Sequence, residues 1–162
     1  MKPKIVTIGV YGFDEDSFFE ALCNAKVDTF CDIRSRRGVR GSTYAFANSL
    51  RLQARLAELG IRYLYRKDLA PTQTVRNRQA EADKTTKTAK RKRMALGEAF
   101  ITAYRTECLA GFDPHSLLDD LKEDVRVVAL FCVEKHPEAC HRSLVADKLR
   151  QELKLEVENI VP

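Results

Sequence analysis

The residue types best suited to chemistry lie in one block of the C-terminal third. The block runs from Cys132 to Glu134 and, after a proline-containing segment, from Cys140 to Arg142. Residues 132 and 134 point the same way along a strand, so their side chains can share one wall of a pocket. The later triplet stands where a helix is predicted to begin, and there free amides and the helix dipole favour anions and thiolates. We predict that Glu134, Cys140 and His141 are catalytic and that Arg142 binds an anion.

A metal site is one alternative for this block, because Cys132, His136, Cys140 and His141 are all zinc-ligand types. Zinc ligands usually come in closely spaced pairs, which this spacing does not match. Adjacent residues on one helical turn also diverge, so Cys140 and His141 are not expected to hold one ion. We predict no metal. The structural alternative is a small buried strand residue at Cys132 followed by an ordinary helix start.

A second group of candidate residues follows the second predicted strand. Alternation puts Asp32 and Arg34 on the same side of the strand end, where burial of a carboxylate is costly unless it is paired. We predict that Asp32 is a catalytic acid or base beside a phosphate-binding Arg34. The alternative is a structural Asp–Arg pair that organises the loop. Arg36 and, after the first strand, Tyr11 complete the predicted anion-binding set.

The spacing of Cys31 and Arg37 matches the thiol loop of some phosphatases. Here Cys31 lies inside the predicted strand, and alternation turns it away from Asp32 and Arg34. The residues between Cys31 and Arg37 include no glycine. We do not favour phosphatase chemistry at this cysteine.

Positive charge is concentrated in two runs. Thr72–Arg93 holds eight basic and two acidic residues, and Arg34–Arg40 holds four arginines and no acid, within a chain of net charge +5. Clustered cations attract polyanions by releasing counterions. We predict a mobile basic insertion at about residues 72–93. The predicted nucleic-acid contacts are Arg37, Arg40, Lys90, Arg91, Lys92 and Arg93.

Apolar periodicity predicts strands that alternate with helices. The predicted strands are Lys4–Val10, Val27–Ile33, Ile61–Tyr65, Val125–Val133 and Glu156–Val161. The predicted helices run from Asp14 or Asp16 to Ala25 and over Leu50–Leu59, Met94–Leu109, Ser116–Lys122 and Cys140–Leu153. Near-continuous apolar strands are typical of parallel sheets covered on both faces. We predict one α/β domain over residues 1–162, with an open, mostly parallel sheet of about five strands and helices on both faces, layered as in Rossmann-like or flavodoxin-like proteins.

Ligands of such sheets bind beyond the carboxyl ends of the strands. This rule places three loops around one cleft: Tyr11-Gly12, Asp32–Arg40 and Glu134–Arg142. We favour an enzyme that acts on a phosphate-bearing substrate, either a nucleotide or a nucleic-acid component. One alternative is a non-catalytic nucleic-acid-binding module, and another is cysteine-based redox or sulfur chemistry. Gly9 and Gly12 do not form the glycine motif of dinucleotide sites, so no cofactor is predicted.

The sequence also indicates the cellular compartment in which the protein is expected. The longest apolar run, Val127–Val133, has seven residues, whereas a membrane-spanning helix needs about 20. The N-terminal residues lack the pattern of a signal peptide. Five scattered cysteines do not suggest a disulfide framework. We expect a cytoplasmic protein with reduced thiols and no membrane partner.

Four short motifs carry a resemblance to a known family. They are Thr7-Ile8-Gly9, Asp32-Ile33-Arg34, Gly60-Ile61-Arg62-Tyr63, and Cys132-Val133-Glu134 followed by Cys140-His141-Arg142. With these motifs the chain resembles the bacterial and archaeal family called domain of unknown function 488. The resemblance implies a compact α/β fold and a shared pocket, but no known reaction. The loop Ser35–Gly41 and the tripeptide Leu69-Ala70-Pro71 depart from the sequences that many members have there.

Overall fold

A computed structural model describes residues 2–86 and 95–162 of the chain. Its strands form one sheet: β1 (Lys4–Ile8), β2 (Thr29–Asp32), β3 (Arg62–Tyr65), β4 (Val127–Phe131) and β5 (Val157–Ile160). The spatial order is β3-β2-β4-β1-β5, and every neighbouring pair is parallel. The predicted α/β fold with an open parallel sheet is therefore confirmed. The strands are shorter than predicted, because the sequence runs extend beyond the paired residues at one or both ends of each strand.

Helices cover both faces of this sheet, as predicted. The helices are α1 (Glu15–Asn24), α2 (Ser49–Glu58), α3 (Gln73–Thr86), α4 (Glu98–Tyr104), α5 (Pro114–Asp120) and α6 (Arg142–Leu153). Helices α1 and α2 pack on one face, in a cluster that includes Phe18, Leu52 and Phe131. Helices α3 to α6 pack on the other, in a cluster that includes Phe100 and Val145. Two apolar layers thus hold the sheet between them.

Local sequence signals explain the first two helices. Asp14 is the N-cap of α1, and its carboxylate accepts a hydrogen bond of 2.7 Å from the Ser17 amide. In return, the Ser17 hydroxyl oxygen accepts a hydrogen bond of 3.1 Å from the Asp14 amide, which completes a capping box. Leu52 and Leu56, four residues apart, bury the inner face of α2. The chain then turns at Gly60, whose φ of 72° suits glycine.

The segment predicted as a mobile basic insertion contains a helix over part of its length. Helix α3 spans Gln73–Thr86, and Val75 and Gln79, four residues apart, are buried on its inner side. The Gln79 side-chain oxygen accepts a hydrogen bond from the Gly97 amide at 2.7 Å. Only one aliphatic residue larger than alanine marks this buried side, so the sequence pattern was too weak to reveal it. The predicted contacts Lys90, Arg91, Lys92 and Arg93 lie outside the described residues.

Two other helix predictions needed adjustment. The helix predicted over Met94–Leu109 appears as α4, which continues into a wider π-helical turn at Arg105–Leu109. The helix predicted from Cys140 begins at Arg142, after a short 3₁₀ turn at Pro137–Ala139. Every helix within residues 2–86 and 95–162 is too short or too polar to serve as a transmembrane span.

Candidate functional site

The ends of β1, β2 and β4 and the start of α6 enclose a cleft of about 780 Å³. Tyr11 lines it from the first loop, and residues 34–36 and 38–40 line it from the second. Cys132, Glu134, Cys140 and His141 form its inner end. The structure therefore brings together the three loops that the parallel topology selects.

Asp32 and Arg34 form a fully buried ion pair at the floor of the cleft. The Asp32 carboxylate accepts hydrogen bonds from Arg34 Nε at 2.9 Å, Nη2 at 2.8 Å and the backbone amide at 3.1 Å. A fourth bond, of 2.6 Å, comes from the Tyr63 hydroxyl. Arg34 Nη1 donates to the Ala47 carbonyl at 2.8 Å, and the guanidinium stacks over Phe131 at 4.7 Å. These contacts use every nitrogen of Arg34 and both oxygens of Asp32 to shape the loop.

Tyr63 closes this cluster from β3. Burial, reinforced by the neighbouring Asp32, raises the pKa of the Tyr63 hydroxyl to about 12. The phenol therefore stays protonated at neutral pH and donates to the carboxylate. Asp32 is wholly buried and is not among the cleft-lining residues, unlike Arg34.

Arg142 lies beneath the cleft wall rather than in it. Its side chain is completely buried, with Nη1 donating to the Glu134 carbonyl at 2.6 Å and Nη2 to the Lys135 carbonyl at 3.3 Å. The segment that it holds passes directly over Gly9. A Cβ at Gly9 would lie 1.7 Å from the Glu134 carbonyl oxygen and 2.9 Å from Arg142 Nη1. Only glycine permits this approach, so Gly9 and Arg142 together set the position of Glu134.

Cys132 and Glu134 face the cleft from the segment that follows β4. The Cys132 thiol donates to Glu134 Oε2 at 3.2 Å, and both side chains are about 5% exposed. The predicted same-side placement of the two residues is correct, although the strand ends earlier, at Phe131. Burial raises the pKa of the Cys132 thiol to about 12, so at neutral pH this group is a thiol in the absence of an added cation.

His141 is fixed between two loops. Its Nε2 lies 2.8 Å from the Ile33 carbonyl oxygen, which can only accept, so Nε2 carries a proton. Nδ1 faces the sulfurs of Cys132 at 3.6 Å and Cys140 at 3.7 Å. The Tyr104 ring packs edge-on against the imidazole, with the ring centres 5.4 Å apart. Burial lowers the pKa of His141, and the Cys132 sulfur and Ile33 carbonyl raise it, with a net increase.

The expectation that Cys140 and His141 diverge is wrong. It assumed a regular helix, whereas Cys140 has extended backbone angles (φ −135°, ψ 146°) and the helix starts after His141. The bend between the two residues swings both side chains toward Cys132. Ligand atoms of Cys132, Cys140 and His141 lie within 4.8 Å of one another, a spacing that can hold a metal ion. His136 is not part of this group.

Comparison with known families agrees with the motifs. A family described as domain of unknown function DUF488 matches residues 15–149, most of the chain. The chain belongs to the DUF488 family. No curated protein and no solved structure matches it. The matched range of this DUF488 protein includes the Asp32–Arg34 pair and the whole Cys132–Arg142 block, while Gly9 and Tyr11 precede it.

Arginines make up much of the outer cleft of this DUF488 protein. Arg36 and Arg40 line the cleft from the loop after β2, and both are exposed. Arg37 is not among the lining residues, since its guanidinium stacks on the Tyr65 ring at 4.3 Å. Arg76 lines the opposite side from α3. The sequence interpretation missed Arg76 as a site residue because it took that segment to be a loop.

Cys31, whose spacing from Arg37 resembles that of a phosphatase loop, is not placed to act as a nucleophile. Cys31 is completely buried in the cluster under α3 to α6, on the other side of the sheet from Phe30. Burial raises its thiol pKa to about 12. Neither accessibility nor ionisation fits a phosphate nucleophile, in agreement with the interpretation from strand alternation.

Proposed function

We propose that this DUF488 protein is an enzyme that binds a phosphate-bearing substrate, a nucleotide or a nucleic-acid component, in the cleft. The observation that carries this proposal is the charge of the lining. Arg36, Arg40 and Arg76 line the cleft, while Glu134 is the sole carboxylate among its described lining residues. Guanidinium groups match phosphate oxygens in charge and in geometry.

Of the predicted anion-binding arginines, Arg36 keeps that role, and Arg40 and Arg76 of the outer cleft replace Arg34 and Arg142 in it. Arg34 and Arg142 direct their hydrogen bonds to internal partners, which leaves them as supports of the loops. Arg36 and Arg40 are exposed and form no ion pair with any residue in the described ranges. Their guanidinium groups are therefore available to a ligand.

Glu134 and His141 are the best-placed groups for proton transfer. Both line the cleft next to Cys132, whereas the two oxygens of Asp32 are occupied by Arg34 and Tyr63. A carboxylate within reach of a bound substrate can act as a general acid or base. We assign that role to Glu134 and leave Asp32 as a positioning residue.

The two alternative functions have weaker support. The contacts proposed for nucleic acid divide between Arg37, which stacks on Tyr65, and residues 90–93, which are not described. Thiol chemistry needs a reactive thiolate, and the raised pKa of Cys132 opposes one. The nucleic-acid alternative is one outcome of the binding test.

The binding test compares two double variants of equal charge. Arg36→Ala/Arg76→Ala removes two cleft arginines, and Arg51→Ala/Arg78→Ala removes two exposed arginines outside the cleft lining. Calorimetric titration with pyrophosphate, nucleoside monophosphates and a short RNA measures affinity. Each charge-assisted hydrogen bond contributes about 1.5–3 kcal/mol, so the cleft variant should bind at least about 100-fold more weakly. The control variant should change by less than about threefold.

Three results would contradict the binding proposal. Equal weakening of both variants would show non-specific attraction. Tight RNA binding that ignores the cleft variant would favour the nucleic-acid module. No binding of any phosphate compound would remove the proposal altogether.

Catalysis is tested separately with Glu134→Gln. The compounds that bind are incubated with the protein, and their conversion is followed by chromatography. Glu134→Gln should lower turnover by about 10²–10⁴-fold while binding is retained. Absence of any conversion of the bound compounds, or full activity of Glu134→Gln, would contradict the enzymatic part of the proposal.

A further inference from the structure

Three soft ligand groups meet at the inner end of the cleft. The Cys132 and Cys140 sulfurs and His141 Nδ1 all lie within 4.8 Å of one another, and all three residues are at least nine-tenths buried. Thiolate and imidazole are the ligands that zinc prefers in proteins. The group combines residues from the end of β4 and the start of α6, so the fold itself assembles it.

The two nitrogen–sulfur distances match those around a tetrahedral zinc ion. With Zn–S of about 2.3 Å and Zn–N of about 2.0–2.1 Å, sulfur and nitrogen ligands of one ion lie about 3.6 Å apart. The Nδ1–Sγ distances are 3.6 Å to Cys132 and 3.7 Å to Cys140. The two sulfurs lie within 4.8 Å of each other, so side-chain rotation alone can bring them to the separation that one ion requires.

The orientation of His141 also suits a ligand. Because Nε2 donates to the Ile33 carbonyl, the lone pair of the neutral ring is on Nδ1, which faces both sulfurs. Zinc-bound histidines usually have their other nitrogen held by a carbonyl or carboxylate in this way. A single lone pair can accept a hydrogen bond from one thiol at a time, whereas one cation would engage both sulfurs and the ring together.

We propose that Cys132, Cys140 and His141 bind a Zn²⁺ ion, with the fourth coordination position open to the cleft. Three protein ligands with one position left for water or substrate are the pattern of catalytic zinc sites, whereas structural sites have four protein ligands. The Glu134 carboxylate lies 3.2 Å from the Cys132 sulfur and lines the same cleft, so it would be within reach of a water in that position and could accept its proton. The site depends on these side chains and not on the proposed phosphate binding.

The experiment uses Co²⁺ as a spectroscopic probe in the 162-residue, chelator-treated protein. One equivalent should produce the intense visible absorption of tetrahedral Co²⁺ together with thiolate-to-cobalt charge transfer, and Zn²⁺ should abolish both. Cys132→Ser and Cys140→Ser should each weaken Co²⁺ binding by more than about 100-fold, beyond the usual effect of losing an outer-sphere partner. Cys108→Ser, a matched change at a buried thiol outside the group, should leave the spectrum intact.

Alkylation of the wild-type protein tests the site even if a serine variant does not fold. Cys132 and Cys140 are buried and react with iodoacetamide only when the protein opens locally, so Zn²⁺ should slow their alkylation at least tenfold and leave that of exposed Cys23 unchanged. A protein with reduced thiols that shows neither the tetrahedral cobalt spectrum nor this protection overturns the proposal. A cobalt spectrum unchanged in both serine variants also overturns it. Arg36→Ala/Arg76→Ala should keep the cobalt spectrum, so failure of phosphate binding and failure of zinc binding are distinguishable.

Discussion

Replacing Asp32 by asparagine removes the negative charge that neutralises Arg34 inside the protein, with almost no change of shape. Arg34 is 2% exposed and its guanidinium cannot lose its proton, so the variant retains a buried and uncompensated cation. We therefore expect the substitution to lower the free energy of unfolding more than it weakens any contact with a ligand.

The size of the effect follows from the four hydrogen bonds that Asp32 accepts, three from Arg34 and one from Tyr63. In asparagine an NH₂ group replaces one of the two carboxylate oxygens. Each of these oxygens accepts two hydrogen bonds, so the NH₂ group would face two donors and could accept from neither. Two bonds to a charged group contribute about 3–6 kcal/mol together. Removal of one partner from a buried ion pair typically costs about 3–5 kcal/mol. We expect Asp32→Asn to lower the free energy of unfolding by about 3–5 kcal/mol.

Urea unfolding followed by circular dichroism measures this loss. Asp68→Asn is the matched control, because Asp68 pairs with Arg66 at 2.8 Å but is 54% exposed, and it should cost less than about 1 kcal/mol. Tyr63→Phe removes one of the four bonds and should cost about 1–2 kcal/mol, which tests the cluster if Asp32→Asn is too unstable to study. A loss below about 1 kcal/mol for Asp32→Asn, with Tyr63→Phe neutral, would refute a stabilising role for the pair.

Two further predictions concern backbone packing and alkaline pH. Gly9→Ala should lower the free energy of unfolding by more than about 2 kcal/mol in the same urea assay, because its Cβ would lie 1.7 Å from the Glu134 carbonyl oxygen. Gly111→Ala is the control: a Cβ there would meet nothing within 4 Å, so the free energy of unfolding should change by less than about 1 kcal/mol. Equal effects would contradict the close approach. Burial raises the pKa of Cys31 from 9.0 to about 12, so its contribution to stability is complete below pH 9 and is lost as pH rises toward 12. Cys31→Ala should therefore show a shallower alkaline fall of the unfolding free energy, and an unchanged slope would contradict this.

Most of the fold was predictable from short-range patterns. Patterns of apolar residues predicted all five strands of the described sheet, and alternation with helices predicted their parallel arrangement. Helix α3 was not predicted, because its buried face contains Val75 and the polar residue Gln79. The segment therefore shows almost no periodic spacing of apolar residues. Periodicity reports burial only where burial is achieved with apolar side chains.

The candidate site was predictable as a set of loops but not as a set of contacts. The amino-acid sequence by itself determined that Asp32, Arg34 and the Cys132–Arg142 block lie at the carboxyl edge of the sheet, because parallel strands bring their ends together. Only the tertiary structure decided that Arg34 and Arg142 turn inward to carboxylate and carbonyl groups. It also decided that His141, anchored by the Ile33 carbonyl 108 positions away, faces two sulfurs. Those directions depend on backbone bends and on partners distant in the chain, which residue type and spacing do not encode.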